Sequence, residues 1–158
     1  MARIIPNENT WVGFVPTIVN KAAPSTAEIG TAVNLTPLLI SINASTQGNT
    51  VPTPSIDTLF ETSVAGTVQA SFSADFYRDS TPAKDLAWTT LPRKTTGYFV
   101  ISRFGSNGAA PSATTKVEVW PILVVSRTMA NMSNNTVMTF TMTAAVPEEP
   151  AEAATVAT

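Results

Sequence analysis

Five stretches of the chain alternate apolar and polar residues with a period of two. The clearest covers residues 62–77. Val64, Gly66, Val68, Ala70, Phe72, Ala74 and Phe76 fall on even positions, and Ser63, Thr67, Gln69, Ser71, Ser73 and Asp75 on odd ones. A period of two places the two sets on opposite faces of one long strand. Its odd face is polar and almost uncharged. Residues 35–46 alternate in the same way, with Leu38, Ile40, Ile42 and Ala44 against Leu39, Ser41, Asn43 and Ser45. Residues 97–104 and 116–128 read as a third and a more fully apolar fourth strand, in which Pro121 implies a bulge or an edge. Residues 136–146 form a fifth, with Met138, Phe140, Met142, Ala144 and Val146 opposing Val137, Thr139, Thr141 and Thr143.

The intervening segments break this rhythm. Residues 1–30, punctuated by Pro6, Pro16 and Pro24, read as an arm, with at most a short helical turn near Pro24–Glu28 that Gly30 limits. Trp11 and Phe14 make the arm too apolar to stay free, so they are expected to contact a neighbouring subunit. Residues 47–61 are non-periodic, and Pro52 and Pro54 forbid a central strand there. That stretch nonetheless carries Val51, Ile56, Leu59 and Phe60, which predicts a loop covered by a partner. Residues 82–91 are the best helix candidate, with Thr81 as cap and Pro82 in the first turn. The organisation expected is an arm (1–30), one β domain (31–146) and an acidic tail (147–158), of which residues 150–158 should be removable.

Composition narrows the chemistry. The 158 residues include 25 Thr and 13 Ser but only 13% charged residues, so polarity comes from hydroxyls, and Thr favours strands. There is no Cys and no His. This excludes disulfides, thiolate nucleophiles and triads built on a histidine base. The net charge of -2 argues against binding nucleic acid by phosphate neutralisation. No apolar run is long enough to span a bilayer as a helix, and no secretory signal is legible at the N-terminus.

The remaining constellations are weak. Asp75, Asp79 and Asp85 do not follow cation-loop spacing, and Arg78 and Lys84 lie among them, so solvated turns with local ion pairs are the better reading. Asp57 and Glu61 lack any sugar-site surroundings. Four Asn-X-Ser/Thr matches are expected by chance in so hydroxyl-rich a chain. Trp11, Trp88 and Trp120 have no basic cluster beside them, which favours packing over base stacking. The uncharged odd face of residues 63–75 fits either an outer surface facing water or the lining of a channel. No enzymatic, cofactor or metal site emerges.

Several blocks in order along the whole chain, MARIIPNENTWVGFVP, NTVPTPSIDTLFETSVAGTVQASFSADFYRD, TTGYFVISRFG, VEVWPILVVSRT and NTVMTFTMTAAVPEEP, resemble the major tail (tail tube) proteins of siphophages, especially those of actinobacterial hosts. The resemblance implies a mainly β chain, a β-sandwich or barrel with one short flanking helix. It implies hexameric rings stacked into the hollow tube of a virion tail, through which genomic DNA passes without specific binding. It further implies contacts with tape measure, tail terminator and distal tail proteins, and synthesis in the host cytoplasm. The loop between the two long strands, here residues 47–61 with Val51, Ile56, Leu59 and Phe60, would reach the next ring. The face Thr67, Gln69, Ser71 and Ser73 is expected to line the lumen, with Thr139, Thr141 and Thr143 as partner. A capsid decoration or head-tail joining protein is the alternative. A carbohydrate-binding module is a further one, disfavoured because the odd face lacks aromatics.

Overall fold

The structure, a computed structural model, describes residues 9–57 and 59–158. The strands are β1 (Trp11–Val15), β2 (Val33–Asn34), β3 (Leu39–Thr53), β4 (Thr62–Tyr77), β5 (Thr96–Ser102), β6 (Lys116–Met129), β7 (Thr139–Ala145) and β8 (Ala151–Thr155). The helices are short: α1 (Thr26–Gly30), α2 (Leu86–Thr90) and a 3-10 turn over Thr36–Leu38. The fold is therefore mainly β, as the alternation implies. All strand pairs are antiparallel, in the order β2-β1-β5-β6-β7-β4-β3, with β8 pairing β6.

The sheet curls over on itself. β5 and β4 stand three places apart in it, which in a flat sheet would be about 14 Å. Yet the rings of Phe99 and Phe72 lie with centroids 4.9 Å apart. Phe14 meets Phe99 edge-on, and Trp120 closes on Phe72. These aromatics, with Phe76, Ile122, Phe140 and Met142, form the main core on the concave side. β2 covers only Gly13 and Phe14 of β1, and beside it Thr36 Oγ1 accepts from Val12 N at 2.9 Å and donates to Val12 O at 3.2 Å, a carbonyl that also accepts from Leu35 N at 3.0 Å. Both backbone groups of Val12 are thereby satisfied.

A second core lies on the other face of β1, β5 and β6. Trp11, Val15, Val100, Val117 and Val119 are covered there by Ile29 of α1 and by Ala154 and Val156. Ser25 caps α1 through a full capping box with Glu28, and these bonds hold the Glu28 carboxyl below its ordinary range. The Trp11 ring lies flat over Gly13, where an added Cβ would sit 2.2 Å from it.

Several expectations are corrected. Trp11 and Phe14 do not belong to an arm. They are 2% and 3% exposed and are buried by the subunit's own two cores, because β1 inserts between β2 and β5. Residues 1–8 of the expected arm lie outside the described residues. The acidic tail is not loose either, since β8 pairs with β6 and Val156 plugs the second core. Strand β3 begins only at Leu39 and carries a bulge at Ile40, so Leu39 and Ile42 pack on the core while Ile40 is partly exposed. It then runs on through Pro52 to Thr53, which shortens the loop expected over 47–61 to residues 54–61. Proline is tolerated there because β3 is the sheet's edge strand. The helix expected over 82–91 forms only at Leu86–Thr90, with a turn closed by Thr81 O before it.

Candidate assembly surface

The longest hairpin leaves the body. β7 pairs β4 only over residues 71–77, and beyond Ser71 the strand has β3 as its one partner. Residues 46–53 and 62–70 thus form a two-stranded ribbon. From Thr46, the partner of Ala70, seven steps of β3 at strand rise carry it roughly 24 Å farther to Thr53. Thr53 and Thr62 clamp its end, each hydroxyl donating to the other's carbonyl at 3.0 Å. The turn beyond presents Ile56 and Leu59 fully exposed and Phe60 largely so. Val51, Val64 and Val68 are about half exposed or more. Residues 43–56 and 62–74 contain no charged side chain. The structure thus places all four apolar residues expected in the loop on this ribbon: Val51 within β3, and Ile56, Leu59 and Phe60 in the turn.

A bulge divides the ribbon. Gly48 pairs with Val68 but Thr50 with Ala65, so Gly66 and Thr67 together oppose Asn49. A Cβ on Gly66 would lie 3.0 Å from Asn49 O and 3.2 Å from Val51 Cγ2, which leaves room for glycine alone without a shift. The extra residue reverses the alternation of β4. Beyond it Val64 pairs with Val51, while Ala65 pairs with Thr50.

The hydroxyl face forms on the convex side at the foot of the ribbon. Ser73 opposes Thr143 of β7 and Asn43 of β3, and Ser71 meets Ser45 at 3.0 Å between hydroxyls. Thr67 and Gln69 lie on the same face, farther out on the ribbon and past the end of β7. The structure therefore brings Ser73 beside Thr143, and sets Thr67 and Gln69 apart from the β7 hydroxyls. Ser126 and Thr128 of β6 extend this face, paired with Thr143 and Thr141. Period counting missed them because the bulge at Val125 shifts their phase. The single carboxylate here is Asp75, which accepts from Ser41 at 2.6 Å and Thr141 at 2.5 Å. Those two hydroxyl donors hold its carboxyl below the ordinary value.

Asp75 is thereby separated from Asp79 and Asp85, the other members of the possible cation cluster. Asp85 is instead buried and salt-bridged to Arg78 at 2.7 Å. Arg78 and Arg127 both lie over the ring of Trp88, at 4.1 and 3.8 Å from its centroid. Trp11 and Trp120 are buried, which removes them as base-stacking platforms. Among the described residues, no group of three acidic side chains could hold a metal ion, and no helix is long and apolar enough to cross a membrane.

Beside the ribbon's foot runs a groove of about 690 Å³, lined by Thr46, Val68 and Ala70 on one side and by Val146–Pro150, Glu152 and Ala153 on the other. Thr46 Oγ1 donates across it to Glu152 at 3.0 Å.

A family model described as phage tail tube protein matches residues 1–158. No curated protein sequence matches the chain. Among solved structures, the chain is similar to one from the virion of a native gene transfer agent particle, at 11% identity and TM-score 0.57, over 91% of this chain and 95% of that one. It is similar to one from the tail of an empty gene transfer agent particle refined with C6 symmetry, at 12% identity and TM-score 0.54, over 90% and 93%. A six-fold symmetrised anti-feeding prophage baseplate contains another, at 11% identity and TM-score 0.56, over 95% of both chains. At these identities the likeness is one of fold.

Proposed function

The chain belongs to the phage tail tube protein family, structural proteins that form the tube of the virion tail, and we propose that its copies close into six-subunit rings whose stacking makes a conduit for DNA. The observation that carries the reading is the ribbon. It is long and uncharged along both strands, and its turn exposes Ile56, Leu59 and Phe60 beside the carboxylates of Asp57 and Glu61. Among the described residues, β4 has no strand partner beyond Ser71 other than β3, and the Thr46–Glu152 bond links the ribbon's foot to β8. A building block needs such a surface, and a monomer would keep it only at the risk of aggregation. Six-fold order is the symmetry given for two of the structurally similar particles.

In this reading the hydroxyl face over β3, β4, β6 and β7 lines the lumen. Its donors and acceptors bond to one another or to water. Ser45, Ser71, Ser73, Ser126, Thr128, Thr141 and Thr143 on it carry no positive charge that would hold a phosphate and slow passage. The Asp75 carboxylate, repeated around a ring, would repel the passing backbone. The role is structural, with no catalysis, and the tail's other partners would be the tape measure, terminator and distal tail proteins. The protein would be made in the host cytoplasm of a siphophage. Negative-stain microscopy of the purified protein tests this. Stacked rings of six around an open channel are expected, and closed trimers or persistent monomers at high concentration would overturn it in favour of a decoration or joining role.

A further inference from the structure

The two ends of the strand order border one groove of about 700 Å³. Val12 of β1 and Ile101 of β5 line it from one end, Leu39, Ile40 and Ile42 of β3 from the other, and Phe104 lies just past β5. Its floor is the main core, to which Val12, Leu39, Ile42 and Ile101 belong. Yet Ile40 and Phe104 in its lining are 43% and 54% exposed. Arg103 is the one charged side chain among the described residues that line it, and it is already paired. Its Nη2 donates to Glu118 at 2.9 Å and its Nε to the other carboxylate oxygen. The strand edges beside the groove are short of partners as well. Among the described residues β3 pairs with β4 alone, and β2 reaches only Gly13 and Phe14 of β1.

We infer that the N-terminal segment of the same chain folds back into this groove, with Ile4 and Ile5 as the plug that closes the mouth of the main core. Residues 1–8 lie outside the described residues, and the place where they join the body carries the argument. Thr10 itself lines the groove. Its hydroxyl donates to Arg103 O at 3.1 Å, and Asn9 O accepts from Ser106 Oγ at 3.1 Å, so the junction is anchored at the groove. Ile5 stands five residues before Thr10, a tether of at most roughly 17 Å. So short a tether holds the segment at an effective concentration on the order of millimolar. The sequence favours the return. Pro6-Asn7-Glu8-Asn9 is turn chemistry set between two apolar pairs, Ile4–Ile5 and Trp11–Val12. Ile5 precedes a proline, which biases it to the extended backbone that lies along a strand edge. With Arg103 neutralised by Glu118, the groove suits an apolar occupant and offers no free charge to a nucleic acid. The inference concerns the single subunit and stands apart from the ring-forming reading.

Because the chain has no cysteine, one introduced thiol reports the groove. Ile40→Cys is to be labelled with a small maleimide in unpolymerised protein, alone and combined with Ile4→Ser and Ile5→Ser. The serines should raise the labelling rate at least about fivefold by uncovering the thiol. An unchanged rate would overturn the inference. A second measurement identifies the occupant without loosening the segment. Under mild oxidation of dilute protein, Ile5→Cys with Ile40→Cys should form a disulfide within one chain, seen as an unchanged monomer mass on a non-reducing gel and loss of both free thiols. Ile5→Cys with Val19→Cys, a position beside α1 on the second core, should not. Disulfides between chains would give the groove to a second copy and overturn the assignment. Equal yields from the two pairs, or no disulfide in the first, would overturn it too.

Discussion

Val156→Ala should lower the stability of the subunit by about 1.5–3 kcal/mol. Val156 is 2% exposed and sits against Trp11, Ile29 and Val117 in the second core. Truncation removes two methyl groups, worth about 0.8 kcal/mol each by transfer, and adds a cavity term where the surroundings cannot close in. They cannot readily do so here. Val156 N donates to Thr115 O at 3.0 Å, and Val156 O accepts from Thr114 N at 2.9 Å. One residue on, Ala157 N bonds to Pro24 O, and Thr26 N to Ala157 O. The backbone is pinned from both sides, which favours the upper half of the range. For a domain of this size each kcal/mol moves the midpoint by roughly 2–4 °C, so a fall of about 5–10 °C is expected. The assay is thermal unfolding of the unpolymerised protein followed by tryptophan fluorescence, since Trp11 reports this core directly. A midpoint within about 1 °C of the parent would refute the reasoning and return residues 147–158 to the status of a free tail. Deleting residues 151–158 should be far more severe, because it strips the cover from one whole side of β1, β5 and β6.

Gly13→Ala should destabilise by about 1–3 kcal/mol through overpacking, since the new Cβ would meet the Trp11 ring at 2.2 Å, and denaturant titration would show it. Asp75 has a depressed native pKa, so its contribution to stability is complete above the ordinary carboxylate range near about pH 4 and is lost as pH falls through the lower native value. Asp75→Ala should therefore flatten the acid limb of the stability profile below about pH 4, and an unchanged limb would show that Ser41 and Thr141 do not favour the ionised form. A cysteine at Ser71 or Gln69 should react in assembled tubes with a small thiol reagent and not with one too bulky to enter the channel. Equal labelling by both would place the hydroxyl face outside.

How far the sequence foretells this molecule depends on what encodes each element. β4 is legible to the residue because its alternation is long and one phase is aromatic. β1 is not, although its five residues are all buried, because a strand buried on both faces loses alternation and sits between prolines. β8 is quieter still. Its sealing residue within the strand is Ala154, whose burial leaves almost no hydropathic trace. The ribbon's apolar residues were visible, but their faces were not. A bulge is a pairing event between two strands, and neither strand alone announces it beyond the presence of Gly66. The hydroxyl face was legible for β4 and β7 and missed on β6, for the same reason at Val125.

The point where the ribbon departs is encoded by prolines on two distant segments. β7 and β8 both run antiparallel to β6 along one edge of it, so they act as one strand interrupted by residues 146–150. The interruption falls between the pairs Leu123–Ala145 and Val119–Ala151. Pro121 of β6 lies in that gap, where no partner on this side needs its missing N–H, while its other edge still pairs with Tyr98. Pro147 and Pro150 make the facing excursion unable to continue a ladder. Lys21 then holds it aside, with Nζ at 2.8 Å from Glu148 and 2.9 Å from Glu149 O. Ala145 is also where β4 loses its β7 partner, at Ser71. From there the sheet forks: β8 follows β6, and the β3–β4 hairpin goes on alone, joined to β8 by the Thr46–Glu152 bond. A proline in β6 and a proline-bounded acidic turn after β7 thus decide how much of the longest hairpin pairs within the sheet and how much extends beyond it.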